Sequence, residues 1–294
     1  MNDMNKVYPS STSFQTLFPR QFWFGLALIA LFWPLNWLLD GRRTHILFFP
    51  LWLGYCLAVD GLVYARRGNS LLSRDWRAYV GLFVVSAPAW WLFEVINWHT
   101  QNWEYLGDEP VLWLRILWKS ISFSTVMPAV FGTAELVCTF GCLKRLGKWL
   151  VIPPSRPVTI SFFIAGLLML AALLVWPTVF FPLIWFALFF ISASLNVWLG
   201  YPSLAEYTRR GNWRPAIALI LGALICGFFW EMWNYYAYPK WVYHVKPFEF
   251  FYIFEMPLLG YGGYLPFGLE TFALYHLIGG LLGLSRPGYL RIDD

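Results

Sequence analysis

The chain has 294 residues, of which 59% are hydrophobic and only 13% charged, about half the charged share of a soluble domain. So little charge cannot cover a water-facing surface of this size, which excludes a soluble globular protein and makes lipid the expected solvent. The net charge of +5 collects in particular loops, as the positive-inside rule describes, so nothing calls for a nucleic-acid partner.

In chain order, residues 1–20 read as a cytoplasmic tail. The first apolar run starts near Phe22 without a small-residue cleavage site, so it reads as a retained helix and not as a signal peptide. Apolar runs of about 18 or more residues mark membrane spans. They fall at about 22–39, 46–65, 78–98 and 122–143, then at about 158–176, 179–200, 214–236 and 264–284. The fold class expected is all-α: a polytopic membrane bundle of about eight transmembrane helices. Stretches 110–121 and 246–262 are apolar but interrupted by Pro110, Pro247 and Pro257. Irregular backbone at membrane depth needs protein or a water-filled cavity around it, so both are expected to be amphipathic or re-entrant and to line a pocket.

Loop charges orient the bundle. Arg66, Arg67, Arg74 and Arg77 follow the second run; Lys144, Arg145, Lys148 and Arg156 the fourth; Arg209, Arg210 and Arg214 the sixth. All fall on one side if the count is even, which places both termini in the cytoplasm and the chain in the inner membrane. Glu104, Asp108 and Glu109 occupy an opposite loop, while Arg42 and Arg43 run against the pattern.

The two halves match in order. Trp33-Pro34 pairs with Trp176-Pro177, Phe49-Pro50 with Phe181-Pro182, and Tyr64-Ala65-Arg66-Arg67-Gly68-Asn69 with Tyr207-Thr208-Arg209-Arg210-Gly211-Asn212. Glu94-Val95-Ile96-Asn97 pairs with Glu231-Met232-Trp233-Asn234, Trp103-Glu104-Tyr105 with Trp241-Val242-Tyr243, and Met127-Pro128 with Met256-Pro257. The domains read as a first four-helix repeat over 21–148, a cytoplasmic linker at 149–156, a second repeat over 157–285 and a cytoplasmic tail at 286–294. An even number of spans per copy makes the repeats parallel, related by an axis along the membrane normal.

The repeated E-x-x-N carries the chemistry. Positions i and i+3 share a helix face, so Glu94 points with Asn97 and Glu231 with Asn234. An intramembrane carboxyl is expensive unless protonated, paired or facing a cavity. The four residues are therefore candidate catalytic groups, with the glutamates as acid and base and the asparagines orienting them; interhelical staples are the structural alternative. Trp91, Trp98, Trp103, Trp230, Trp233, Tyr236 and Trp241 cluster around the motifs as a candidate substrate-binding wall, able to stabilise a carbocation by cation–π attraction. Glu135 and Glu270, at similar depth in the last run of each half, join the substrate-binding set, and Asp60 is an unpaired intramembrane acid. Cys138 and Cys142 share a helix face but lack further ligands nearby, and no histidine pair has metal or haem spacing, so neither metal nor cofactor is expected.

Gly227-Phe228-Phe229-Trp230-Glu231, Trp241-Val242-Tyr243, Met256-Pro257 and Leu265-Pro266-Phe267 resemble the membrane carotenoid-processing proteins, the small lycopene cyclases and related carotenoid hydratases. The resemblance covers about a third of the chain. It implies a helix bundle holding a long isoprenoid whose double bond is protonated by acidic residues, here Glu94 and Glu231. The Pro-x-Glu-Glu stretch of those cyclases has no counterpart, since Glu255 precedes Pro257. The expected function is binding, and conversion by acid–base chemistry, of a carotenoid-like isoprenoid, with membrane lipid and a hydrophobic small molecule as partners and an open oligomeric state. A transporter or lipid-binding protein, or a Trp-rich structural subunit of a membrane complex, are the alternatives.

Overall fold

Helix boundaries follow local chemistry. Helix α1 spans Arg20–Leu38 and α2 Thr44–Arg67. Gly68 ends α2 at φ 73°, its N–H on the Tyr64 carbonyl at 2.7 Å, with Arg66 and Arg67 in the last turn; a left-handed cap favours glycine, and cations suit a helix C-terminus. A short α3 (Leu71–Arg74) is capped by Ser70, and Asp75 then caps α4 (Trp76–Thr100) by accepting from the N–H groups of Arg77 and Ala78. Beyond β1 (Trp103–Leu106) come α5 (Leu112–Phe123) and α6 (Val126–Cys138). The second half comprises α7 (Arg156–Val175), α8 (Pro177–Phe180), α9 (Ile184–Leu199), α10 (Ala205–Thr208) and α11 (Arg214–Tyr235). It closes with β2 (Lys240–Tyr243), β3 (Tyr252–Ile253), β4 (Met256–Pro257), a 3-10 turn at Leu258–Gly263 and α12 (Tyr264–Leu281).

This is a computed structural model; it describes residues 18–141, 143, 147–246 and 249–293. Cys142, Lys144, Arg145, Pro247 and most of the N-terminal segment lie outside them. The described residues are mostly helical, and seven helical stretches among them are long and apolar enough to cross a membrane, with α5 and α6 counted as one, Leu112–Cys138, and α8 through α9 as another, Pro177–Leu199. The eighth expected span, 264–284, is helical over Tyr264–Leu281 but is not among the seven, because Pro266, Glu270 and His276 dilute its apolar character. Of the two stretches expected to be amphipathic or re-entrant and to line a pocket, 110–121 is largely the amphipathic helix α5, and 246–262 holds the β3–β4 hairpin and the 3-10 turn; both contribute to the cavity described below.

Burial separates centre from rim. Only 11% of the apolar window of α1 is buried, against 72% of the Leu112–Cys138 window, so α1 offers its surface to lipid while α6 is core. Where α6 crosses α11, a Cβ on Gly222 would sit 2.9 Å from the Val130 carbonyl; glycine is what lets these backbones touch, as at other membrane helix crossings. Tyr55, Thr133 and Cys226 tie α2, α6 and α11 together through a Tyr55–Thr133 bond of 2.9 Å and a Thr133–Cys226 contact of 3.4 Å.

Segment 286–293, expected as a tail, is packed into the first half. Ile292 is fully buried, Tyr289 donates to the Leu71 carbonyl at 2.9 Å, and the Arg291 N–H reaches Glu135 at 2.8 Å. Arg286 pairs with Asp75. At the opposite end, Arg43 caps the Asn36 carbonyl at 2.7 Å and the Tyr236 carbonyl at 2.8 Å, and Arg42 lies 3.6 Å from Glu109. Both arginines that run against the charge pattern are thus engaged, and Arg43 bridges the end of α1 to the end of α11.

Candidate functional site

Helices α4 and α11 both end in E-x-x-N, and both motifs lead into W-x-Y. Asn97 donates to the Trp103 carbonyl at 2.8 Å and accepts the N–H groups of Asn102 and Trp103 at 2.9 and 3.2 Å. Asn234 does the same for Trp241, donating to its carbonyl at 2.7 Å and accepting its N–H at 3.0 Å. Each asparagine therefore reverses the chain after its helix and pins the start of a strand. The asparagines bond the W-x-Y backbone, and among the described residues no hydrogen bond joins them to the carboxyls they were expected to orient.

The strands complete the link. Tyr105 donates to Glu94 Oε1 at 2.7 Å and Trp103 Nε1 to the same oxygen at 3.0 Å. Tyr243 donates to Glu231 Oε1 at 2.7 Å, joined there by Tyr264 at 2.8 Å. The two W-x-Y strands pair antiparallel, Trp103 opposite Tyr243 and Tyr105 opposite Trp241, so each tryptophan faces the other motif's tyrosine. Burial, and then the adjoining Glu94 carboxyl, push the Tyr105 phenol well above its usual range; burial and Glu231 do the same for Tyr243. Both remain hydroxyl donors at any working pH.

The environments of the two carboxyls differ. Glu94 has the Lys119 ammonium 3.9 Å from its second oxygen, and Lys119 also pairs with Asp108 at 3.0 Å and lies 3.6 Å over the Tyr105 ring. Glu231 has hydroxyl partners on one oxygen, and its Oε2 is buried without a hydrogen-bond partner among the described residues.

A cavity of about 150 Å³ lies against the ribbon. Trp103, Tyr105, Trp241 and Tyr243 supply its strand wall, and Trp90, Trp185, Trp230 and Phe267 reach it from α4, α9, α11 and α12. Glu94 and Glu231 stand one side chain behind that wall, since the residues that bond them line the cavity. That volume equals that of an engineered apolar cavity that takes up benzene, roughly 150 Å³, so there is room for one ring.

Of the expected wall residues, Trp103, Trp230 and Trp241 line the cavity. Trp233 is core, packed against Trp52 with ring centroids 4.9 Å apart. Trp91 donates to Ser120 at 2.9 Å behind Phe123. Trp98 and Tyr236 are 66% and 59% exposed, on the outside. Glu135 is away from the cavity, ion-paired with Arg74 and bonded by the Arg291 N–H; it anchors the C-terminal segment. Glu270 is fully buried on α12 with neither oxygen bonded among the described residues. Asp60 accepts from Ser70 at 2.8 Å and from the Leu72 N–H at 3.0 Å, holding α3. Tyr105, Tyr243, Tyr264, His45 and Lys119 were missed as site residues. The repeat of W-x-Y marked the first two, but nothing local tied them to glutamates 11 and 12 residues earlier. Among the described residues no group of three His, Cys, Asp or Glu could hold a metal ion.

Comparison with family models, curated proteins and solved structures returned no match.

Proposed function

We propose that the protein binds the end group of a lipid-soluble, isoprenoid-like molecule in the cavity and isomerises or cyclises it by proton transfer. The observation that carries this reading is the paired Glu–Tyr arrangement: two buried carboxyls held by tyrosines that are themselves the wall of one aromatic cavity. Glu231, whose partners are neutral hydroxyls, is assigned the donating role through Tyr243 or Tyr264. Glu94, beside the Lys119 ammonium, is assigned the accepting role through Tyr105. A proton added to one alkene carbon leaves a cation, which the faces of Trp90 and Trp230 stabilise. A proton lost from a neighbouring carbon restores a double bond, so the formula is unchanged and no redox partner is needed.

Eight spans follow if α12 crosses the bilayer shielded by α4, α9 and α11, its Glu270 hidden from lipid. Two parallel repeats then carry the two W-x-Y strands to one end, with both termini at the other, cytoplasmic, end of an inner-membrane protein. The symmetric pairing of Trp103 with Tyr243 and of Tyr105 with Trp241 supports a two-fold axis through the ribbon.

The test is conversion of an extract of membrane isoprenoids by protein in liposomes without a membrane potential. The expected result is a product of unchanged mass with wild type and none with the Glu94→Gln, Glu231→Gln double variant. Equal conversion by both, or uptake that requires a potential, would remove the carboxyls from chemistry and favour transport.

A further inference from the structure

Three features of the cavity wall restrict what end group it accepts. The first is charge. Lys119 and Lys240 reach the cavity, but Lys119 is matched by Asp108 at 3.0 Å and Lys240 is ion-paired with Glu255. With Glu94 and Glu231 just behind the wall, an entering carboxylate or diphosphate would meet no unmatched cation, and an unpaired charge in an apolar site is costly.

The second feature is an open hydrogen bond. Of the buried side-chain polar atoms without a partner among the described residues, His45 Nε2 is the one carried by a residue of the cavity wall. The imidazole is near-parallel to the Trp118 ring at 16°, with centroids 6.4 Å apart, which fixes its plane. Buried ring nitrogens are ordinarily hydrogen-bonded. The third feature is size, since about 150 Å³ admits one ring and its substituent.

We propose that the cavity recognises a ring-sized apolar end group bearing one neutral oxygen, a hydroxyl or carbonyl, bonded to His45 Nε2. The inference rests on the cavity's being a ligand site, as the proposed function holds, and adds the chemistry of the group recognised. The oxygen is an anchor: it holds the ring at the His45 side of the cavity while the apolar carbons face the aromatic wall.

Three probes on one skeleton separate the cases: limonene, perillyl alcohol and perillate, which carry a methyl, a hydroxymethyl and a carboxylate at the same ring carbon. Binding to the full-length protein in nanodiscs is read by quenching of tryptophan fluorescence. Wild type and His45→Phe are compared in the same lipid, so that partition into the bilayer cancels in the ratio. One neutral hydrogen bond is worth about 0.5–1.5 kcal/mol net, so His45→Phe is expected to weaken perillyl alcohol about two- to twelvefold. Limonene should be unchanged, His45→Gln should retain the alcohol's affinity, and perillate should bind worst. Perillate binding best, or alcohol affinity equal in wild type and His45→Phe, overturns the inference while leaving the cavity a ligand site. Failure of all three probes to bind wild type, or binding unaffected by Val126→Trp, which fills the cavity, overturns both.

Discussion

At the scale of single residues, four buried glutamates, at places that match in the sequence of the two halves, meet different fates. Glu135 has Arg74 and the Arg291 N–H, whereas Glu270 has no partner on either oxygen among the described residues. Arg74 sits in the segment 70–75, and the second half passes from Asn212 directly to Trp213-Arg214 without it. Removing one partner of a buried ion pair costs roughly 3–5 kcal/mol, because the other charge is stranded; removing an unbonded buried polar group relieves a penalty. Glu135→Leu is therefore expected to destabilise by about that amount, and Glu270→Leu to be neutral or stabilising, in denaturant titrations in detergent. The positions of the four acids were legible in the sequence. Their different roles were not, since each depends on a residue brought from a distant element: Arg74, Arg291, Lys119 or Tyr264.

At the scale of elements, the ribbon and the C-terminal segment organise the two ends of the bundle. A strand of four residues is too short to show a period of two against an aromatic-rich background, and β1 and β2 pair across more than a hundred residues, so W-x-Y read as a repeat marker and not as a sheet. Asn97 satisfies three backbone groups at the turn. Asn97→Ala strands them, and should cost about 1–3 kcal/mol and loosen Tyr105 from Glu94. Glu104 and Val242 are opposite partners in the ribbon, where Cβ atoms lie about 4.5–5.5 Å apart, close to disulfide reach. A Glu104→Cys, Val242→Cys pair should cross-link on mild oxidation, seen as retained full-length mobility after the linker at 149–155 is cut. Two separate fragments under non-reducing conditions would contradict the ribbon. At the other end, the N–H groups of Ala78 and Arg77, together with Arg286, hold the Asp75 carboxyl below its usual range. A depressed carboxyl pKa adds stability that is present above the unfolded value, about 3.9, and is lost as pH falls through the folded value. The Arg286 clasp should thus hold at neutral pH and release only below about pH 4; Asp75→Asn should release it at neutral pH, read as faster proteolysis of the C-terminal segment.

At the scale of the whole molecule, composition and apolar run lengths were enough to specify a multi-helix membrane protein, and seven helical stretches among the described residues satisfy that on length and apolarity alone. The cavity was less legible. Its walls come from elements as far apart as α2, α5, α9 and α12, and the aromatic count alone could not separate Trp230, which lines it, from Trp98, which faces outward. The C-terminal segment also joins the halves, since Ile292 accepts from Cys138 at 3.0 Å. Fragments 1–148 and 149–294 expressed together should therefore co-purify, and removal of 286–294 should reduce their association.

The central claim is that the aromatic cavity between Glu94 and Glu231 holds a specific hydrophobic ligand. It is tested most directly by native mass spectrometry, with an absorption spectrum, on wild type and Val126→Trp purified from membranes in mild detergent. Wild type is expected to carry a non-phospholipid isoprenoid that is absent from the cavity-filled variant, with bulk phospholipid adducts equal in both. Identical spectra of bound species for the two proteins would contradict it.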